Sequence, residues 1–235
     1  MEMIEGKLNV AGEALAYTVC QSGRQESEHW VVLLHGAGKS ASQEALKPIA
    51  AFLAGQGIDS LLFDFSGHGK STTANRSSIA QRTREAAGIV AAFRGQHRFI
   101  HLFAFSMSGQ VALNLTTQFD DIRSLNLFSP ALYDVDAFDI EFGERFTRKI
   151  SAHESWRNHN AVLLHTFSGR VTLVRSDCDE VIPQEVFALY QEHAVSEHFT
   201  EVVLPGAPHT LGKWISESPD RFPGIFHALA LVFAE

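Results

Sequence analysis

Ser106 lies in the hexapeptide Ala104-Phe105-Ser106-Met107-Ser108-Gly109, after the apolar run Phe99–Phe103 and at the start of a helical pattern. A serine hydroxyl becomes a useful nucleophile when a base takes its proton. A sharp strand-to-helix turn lifts such a hydroxyl above the sheet, provided the residues two before and two after it are small. Those positions hold Ala104 and Ser108, both small although neither is the more usual glycine. The plain alternative is a strand-to-helix turn in which Ser106 only caps the helix.

His35-Gly36-Ala37-Gly38 closes an earlier apolar run, Trp30–Leu34. A glycine-rich turn at a strand's C-terminal end lets backbone N–H groups face a developing oxyanion. The alternative is a simple turn with His35 packed or capping. Asp64-Phe-Ser-Gly67-His-Gly69-Lys-Ser71 follows the next strand. It lacks a full GxGxxG, so it reads as a structural turn in which Asp64 bonds local backbone N–H groups.

Downstream, Asp177-Cys-Asp179-Glu180-Val-Ile-Pro183 offers acids between a strand and a helix, and Gly206-Ala207-Pro208-His209 follows the last strand. The bland readings are helix capping for the acids and a bystander role for His209, one of 12 histidines. The order serine, acid, histidine is that of one large class of serine hydrolases. Asp179 is the expected acid. Asp177, nearer the strand end, is expected to bond backbone N–H groups of the turn.

The elements that must hold these residues alternate. Residues 4–9 and 14–20 read as a hairpin turning at Gly12; 30–34, 60–63, 99–103, 124–128, 171–174 and 199–204 read as strands. Helical spacing covers 42–55, 78–94, 107–118, 184–193 and 220–233. Alternating strands and helices imply an α/β fold with a mostly parallel central sheet flanked by helices. Residues 131–168 break the rhythm: they hold Tyr133, Phe138, Phe142, Phe146 and Trp156 but no convincing strand. A stretch of that length is expected to be a short, mostly helical cap, inserted in a single domain spanning 1–235.

Composition narrows the function. The 235 residues are 45% hydrophobic and 20% charged, as in ordinary globular proteins. A net charge of −8 disfavours nucleic acid and anionic membrane surfaces as partners. The acidic start and the lack of a long apolar run argue against a signal peptide or a spanning helix. Two distant cysteines, Cys20 and Cys178, exclude a disulfide framework and fit a cytoplasmic location. No motif suggests a metal or another cofactor.

Taken together, HGAG at 35–38, DFSGHGKS at 64–71, AFSMSG at 104–109, DCDEVIP at 177–183 and GAPH at 206–209 stand in family order. The chain resembles the α/β-hydrolase fold superfamily, in its small, single-domain serine esterase or lipase-like form, from residue 4 to about 233. The resemblance implies a Ser106–His209–Asp179 triad, an oxyanion hole built from the Ala37 and Met107 N–H groups, and a small ester-like substrate. His35, Gly36 and Phe105 beside the nucleophile, and Phe138, Phe142, Phe146 and Trp156 in the cap, are the expected substrate contacts. A thioesterase, a peptidase or a C–C bond hydrolase would use the same triad. A non-catalytic binding protein on this scaffold is the rival outside enzymes, and it has no need for Asp179 and His209 together.

Overall fold

The computed structural model describes residues 1–23, 28–74, 77–96, 99–152 and 155–229. Strands β1 (Glu2–Val10) and β2 (Glu13–Gln21) form the expected hairpin. Its two-residue turn places Ala11 and Gly12 at φ +50° and +85°. Two consecutive left-handed residues match the twist of paired strands. Six further strands follow: β3 (His29–Leu34), β4 (Asp59–Phe63), β5 (Phe99–Phe105), β6 (Ile122–Phe128), β7 (Arg170–Cys178) and β8 (Phe199–Pro208). The sheet order is β1-β2-β4-β3-β5-β6-β7-β8, antiparallel at β1–β2 and β2–β4 and parallel elsewhere.

Helices cover both faces: α1 (Lys47–Gly55), α2 (Ile79–Phe93), α3 (Ser108–Leu115), α4 (Glu144–Ile150), α5 (Gln184–His193), α6 (Leu211–Ser216) and α7 (Phe222–Leu229). Side chains along a strand alternate between faces, and two cores follow from that. Val32, Leu34, Leu102, Ala104 and Leu127 face α2, α3 and α5. Val31, Leu33, Phe103, Phe105 and Phe128 face α1, α6 and α7.

Several elements differ from the sequence reading. The 42–55 helix splits into a 3₁₀ turn, Gln43–Leu46, and α1, whose first turn carries Pro48. Strands β7 and β8 run past 174 and 204, with a register shift between Ser176 and Cys178. That extension carries the acid and histidine loops beyond the body of the sheet. Helix α6 was not expected. At six residues, with only Leu211 and Ile215 buried, it shows too little periodicity to stand out. The end of the expected 220–233 helix, beyond Leu229, lies outside the described residues.

The turn at 64–71 is structural, as expected. The Asp64 carboxylate accepts from the backbone N–H groups of Gln43 (2.8 Å) and Lys70 (3.0 Å) and from the Gln43 side-chain amide. Gly69, at φ +49°, has no room for a side chain, because a Cβ there would fall 2.1 Å from that carboxylate.

Regular structure in 131–168 consists of 3₁₀ turns at Val135–Ala137 and Ala161–His165 and helix α4, with no strand among the described residues. An amide cluster fastens this segment to α3. The Gln110 side chain accepts from the Tyr133 N–H (3.1 Å) and donates to Asn160 (2.8 Å) and Asn114 (3.0 Å). Asn160 in turn donates to Asn114 at 2.9 Å. Phe138 and Phe142 are also joined to the start of α2, through Ala80 N–H to Phe138 O and Phe142 N–H to Ser77 O.

Candidate active site

Ser106 follows β5 directly, with φ +53°, a left-handed conformation that costs an ordinary side chain energy. The surroundings over-determine it. Its N–H donates to Phe128 O at 2.9 Å, and its carbonyl accepts from Gly109 and Ala131, each at 2.9 Å. Small residues are required around it. A Cβ on Gly109 would fall 2.4 Å from Pro130 Cβ, and one on Gly36 would lie 3.2 Å from Ser106 Cβ. Ala104 and Ser108 are fully buried. The Ser108 hydroxyl donates to the His35 carbonyl at 2.5 Å, joining the turn at Ser106 to the glycine-rich turn.

The Ser106 Oγ lies 2.8 Å from His209 Nε2, and His209 Nδ1 lies 2.9 Å from Asp179 Oδ2. A carboxylate only accepts, so Nδ1 carries the proton and Nε2 presents its lone pair to the hydroxyl. The other Asp179 oxygen accepts from the N–H groups of Val181 and Ile182, both at 2.9 Å. Burial pushes the Asp179 carboxyl up. The hydrogen bonds from His209, Ile182 and Val181 outweigh it and hold the group below its ordinary range. The carboxylate therefore stays ionised beside the imidazole at neutral pH. Asp177 accepts from Gly206 N–H at 2.7 Å, so it braces β8 rather than its own turn. A second brace reaches the histidine loop: Ser176 Oγ donates to Pro208 O at 2.7 Å and contacts Ser129 Oγ at 3.2 Å.

Next to Ser106, the Ala37 and Met107 N–H groups have no hydrogen-bond partner within the protein, among the described residues. Met107 immediately precedes α3, where the helix leaves its first N–H groups unsatisfied and its dipole favours negative charge. Met107 packs with Ile79, Ala137 and Phe146, and this cluster also gathers Ala37, Tyr133, Phe138 and Phe142. Three of the four expected cap aromatics thus share one apolar cluster with the two N–H-bearing residues.

Three expected substrate contacts are placed elsewhere. Trp156 packs on the main core beneath α2, α3 and α5. Phe105 stacks on Phe128 (centroids 4.3 Å apart) in the core on the opposite face of the sheet, because side chains alternate along β5. His35 is buried with both ring nitrogens engaged: Nε2 accepts from Phe65 N–H (3.0 Å) and Nδ1–H donates to Gly36 O (2.7 Å). Burial, with the Arg82 charge nearby, holds His35 well below its ordinary value and hence neutral. Its work is to shape the turn.

Sequence reasoning missed Arg82, on α2. Its Nη1 lies 3.3 Å from Gly36 O and its Nη2 2.6 Å from His68 Nε2. An arginine on an amphipathic helix ordinarily reads as a solvated residue, yet this one is 1% exposed. Among the described residues, no His, Cys, Asp and Glu side chains come together in a way that could hold a metal ion, and no helix is long and apolar enough to cross a membrane.

A family model described as serine aminopeptidase, S33, matches residues 25–169. No curated protein sequence matches the chain. Solved structures with the same fold include a serine hydrolase involved in carbazole degradation, at 18% identity and TM-score 0.72, covering 98% of this chain and 100% of that one. An esterase from Pyrococcus furiosus aligns at 18% identity and TM-score 0.70, covering 99% and 91%. Est1E from Butyrivibrio proteoclasticus, with ferulic acid bound, aligns at 16% identity and TM-score 0.70, covering 96% and 99%.

Proposed function

The chain belongs to the S33 serine aminopeptidase family of α/β hydrolases and is a serine hydrolase; from that premise we propose that it cleaves a small carboxylic ester through Ser106, His209 and Asp179. The observation that carries this reading is the continuous chain of hydrogen bonds from Ser106 Oγ through His209 to Asp179, at 2.8 and 2.9 Å. His209 Nε2 takes the hydroxyl proton as Oγ attacks the ester carbonyl. The imidazolium that forms is stabilised by the ionised Asp179. The tetrahedral oxyanion is received by the Ala37 and Met107 N–H groups. His209 then protonates the leaving alcohol, and an acyl group remains on Ser106. Water, deprotonated by His209, attacks that acyl group and releases the acid.

Phe138, Phe142 and Phe146 give the acyl side of the site an apolar wall, because their cluster includes Met107 and Ala37. The test is a series of p-nitrophenyl esters of rising acyl length, run beside thioesters and aminoacyl p-nitroanilides. Turnover of short esters, abolished by Ser106→Ala, is the expected result. Turnover of the anilides alone would overturn the ester assignment. The family's own description favours that second reading, an aminopeptidase using the same three residues.

A further inference from the structure

We infer that Arg82 is a positioning residue for the oxyanion hole: it grips the carbonyl of the Gly36–Ala37 peptide from behind and so aims the Ala37 N–H at the reacting oxygen. The inference rests on the proposed roles of Ser106 and Ala37.

A buried guanidinium is expensive unless something compensates it. Arg82 is 1% exposed, forms no salt bridge among the described residues, and has a buried Nε with no partner. Its charge is held between the Phe65 ring (4.8 Å) and the Phe142 ring of the cap (5.2 Å). Burial lowers its pKa to about 10, opposed by the nearby Glu85, so the cation persists at neutral pH. Filling this space with an apolar side chain would avoid the desolvation cost. The retained contacts show where the charge is directed: Nη2 to His68 and Nη1 to Gly36 O.

That carbonyl matters because of peptide geometry. The peptide is planar and trans, so its C=O and N–H point in opposite directions. Gly36 O receives two donors, His35 Nδ1–H at 2.7 Å and Arg82 Nη1 at 3.3 Å, which occupy both of its lone pairs. With the carbonyl held from behind, the Ala37 N–H has one direction left. A cation at the carbonyl oxygen also polarises the amide and makes its N–H a stronger donor. An oxyanion hole depends on donors fixed before the charge develops. Here the neutral imidazole sets the orientation, and the guanidinium adds both grip and field.

The experiment compares wild type, Arg82→Met and Arg82→Lys in two assays: inactivation by a fluorophosphonate probe, resolved into the maximal rate and the half-saturating concentration, and hydrolysis of p-nitrophenyl butyrate. In both reactions an oxygen of the substrate or probe gains negative charge against the same N–H groups. Arg82→Met is expected to lower the maximal rate about 10- to 100-fold, a fraction of what deleting a whole oxyanion donor costs, with half-saturation within about two-fold. Arg82→Lys, keeping a cation without the fork, should fall between. A folded Arg82→Met protein with a wild-type maximal rate overturns the inference. If that variant does not fold, Arg82→Lys decides: a rate about 10-fold down supports the inference, and an unchanged rate overturns it. A wild-type protein left unlabelled at Ser106 would remove the triad reading and this inference together. A labelled wild type matched by its Arg82 variants removes this inference alone.

Discussion

Ser108 stands where small size alone is demanded, yet its hydroxyl donates to the buried carbonyl of His35 at 2.5 Å. One side chain thus links the turn that raises Ser106, the proposed nucleophile, to the turn that carries the expected oxyanion donor. Ser108→Ala keeps the size and leaves a buried carbonyl unsatisfied, so about 1–3 kcal/mol of stability should be lost. Chemical denaturation checks this, and a midpoint equal to wild type would show that the bond contributes nothing net. Ester turnover should fall as well, because the two turns are then free to drift apart.

The two neighbouring acids should separate cleanly. Asp179 holds His209 in the tautomer that can accept the Ser106 proton. An asparagine there can mis-set that tautomer, an effect worth ~10⁴ in turnover in a serine protease. Asp179→Asn is therefore expected to fold and to lose several orders of magnitude in kcat. Asp177→Asn weakens the bond to Gly206 and leaves His209 untouched, so it should cost about 1 kcal/mol of stability and little activity. The reversed pattern in a simple activity and melting comparison would move the triad acid to Asp177.

Cap substitutions should act on substrate choice. Phe138, Phe142 and Phe146 share a cluster with Met107 and Ala37, whereas Trp156 packs on the main core. Alanine at one or more of the three phenylalanines is expected to shift the acyl-length profile. Trp156→Ala should instead lower stability and leave the profile in place. Unchanged profiles in all three phenylalanine variants would reduce these rings to packing.

Stability should fall on mild acidification, through a histidine far from the chemistry. His101, on β5, is 1% exposed, hydrogen-bonded to Ser124 Oγ at 2.7 Å and to His29 at 2.9 Å. Burial above all, then the nearby His29 and Arg123, pushes it down to about 3. In the unfolded chain it returns to near 6.5. As the pH falls below that value the unfolded state takes up the proton first, and the folded state loses ground. From this group alone the loss between pH 7 and pH 5 is about 2 kcal/mol. Melting curves across that range measure it, and His101→Asn should flatten the dependence.

What could be read from the sequence, and what could not, divides along physical lines. The hairpin, the six following strands and the position of Ser106 are local matters of alternation, apolar runs and small residues, and all are legible from neighbours in the chain. Phe105 was misassigned because adjacency to Ser106 says nothing about face: one residue along a strand reverses direction. His35 looked available because its partner, the Phe65 N–H, belongs to another strand's end. Arg82 could not be recognised at all, since its burial is created by Phe65 and His68 of the 64–71 turn and Phe142 of the 131–168 segment. Helix α6 was lost to its shortness.

Two of the cap's anchor points, Tyr133 and Asn160, are fastened to α3 by the cluster around Gln110, and Phe138 and Phe142 tie the segment to the start of α2. Between these contacts the chain is in effect a set of closed loops with fixed ends. The entropy of closing such a loop grows only with the logarithm of its length, about 0.6 kcal/mol for each doubling. Changes of length in a loop between two such contacts therefore cost the fold little closure entropy, provided Phe138, Phe142 and Phe146 keep their places in the cluster with Met107 and Ala37 and Phe142 keeps its contact with Arg82. This architecture separates what can change from what must stay: new specificities can be tried in the loop, over many lengths and compositions, against a catalytic frame that does not have to be rebuilt each time.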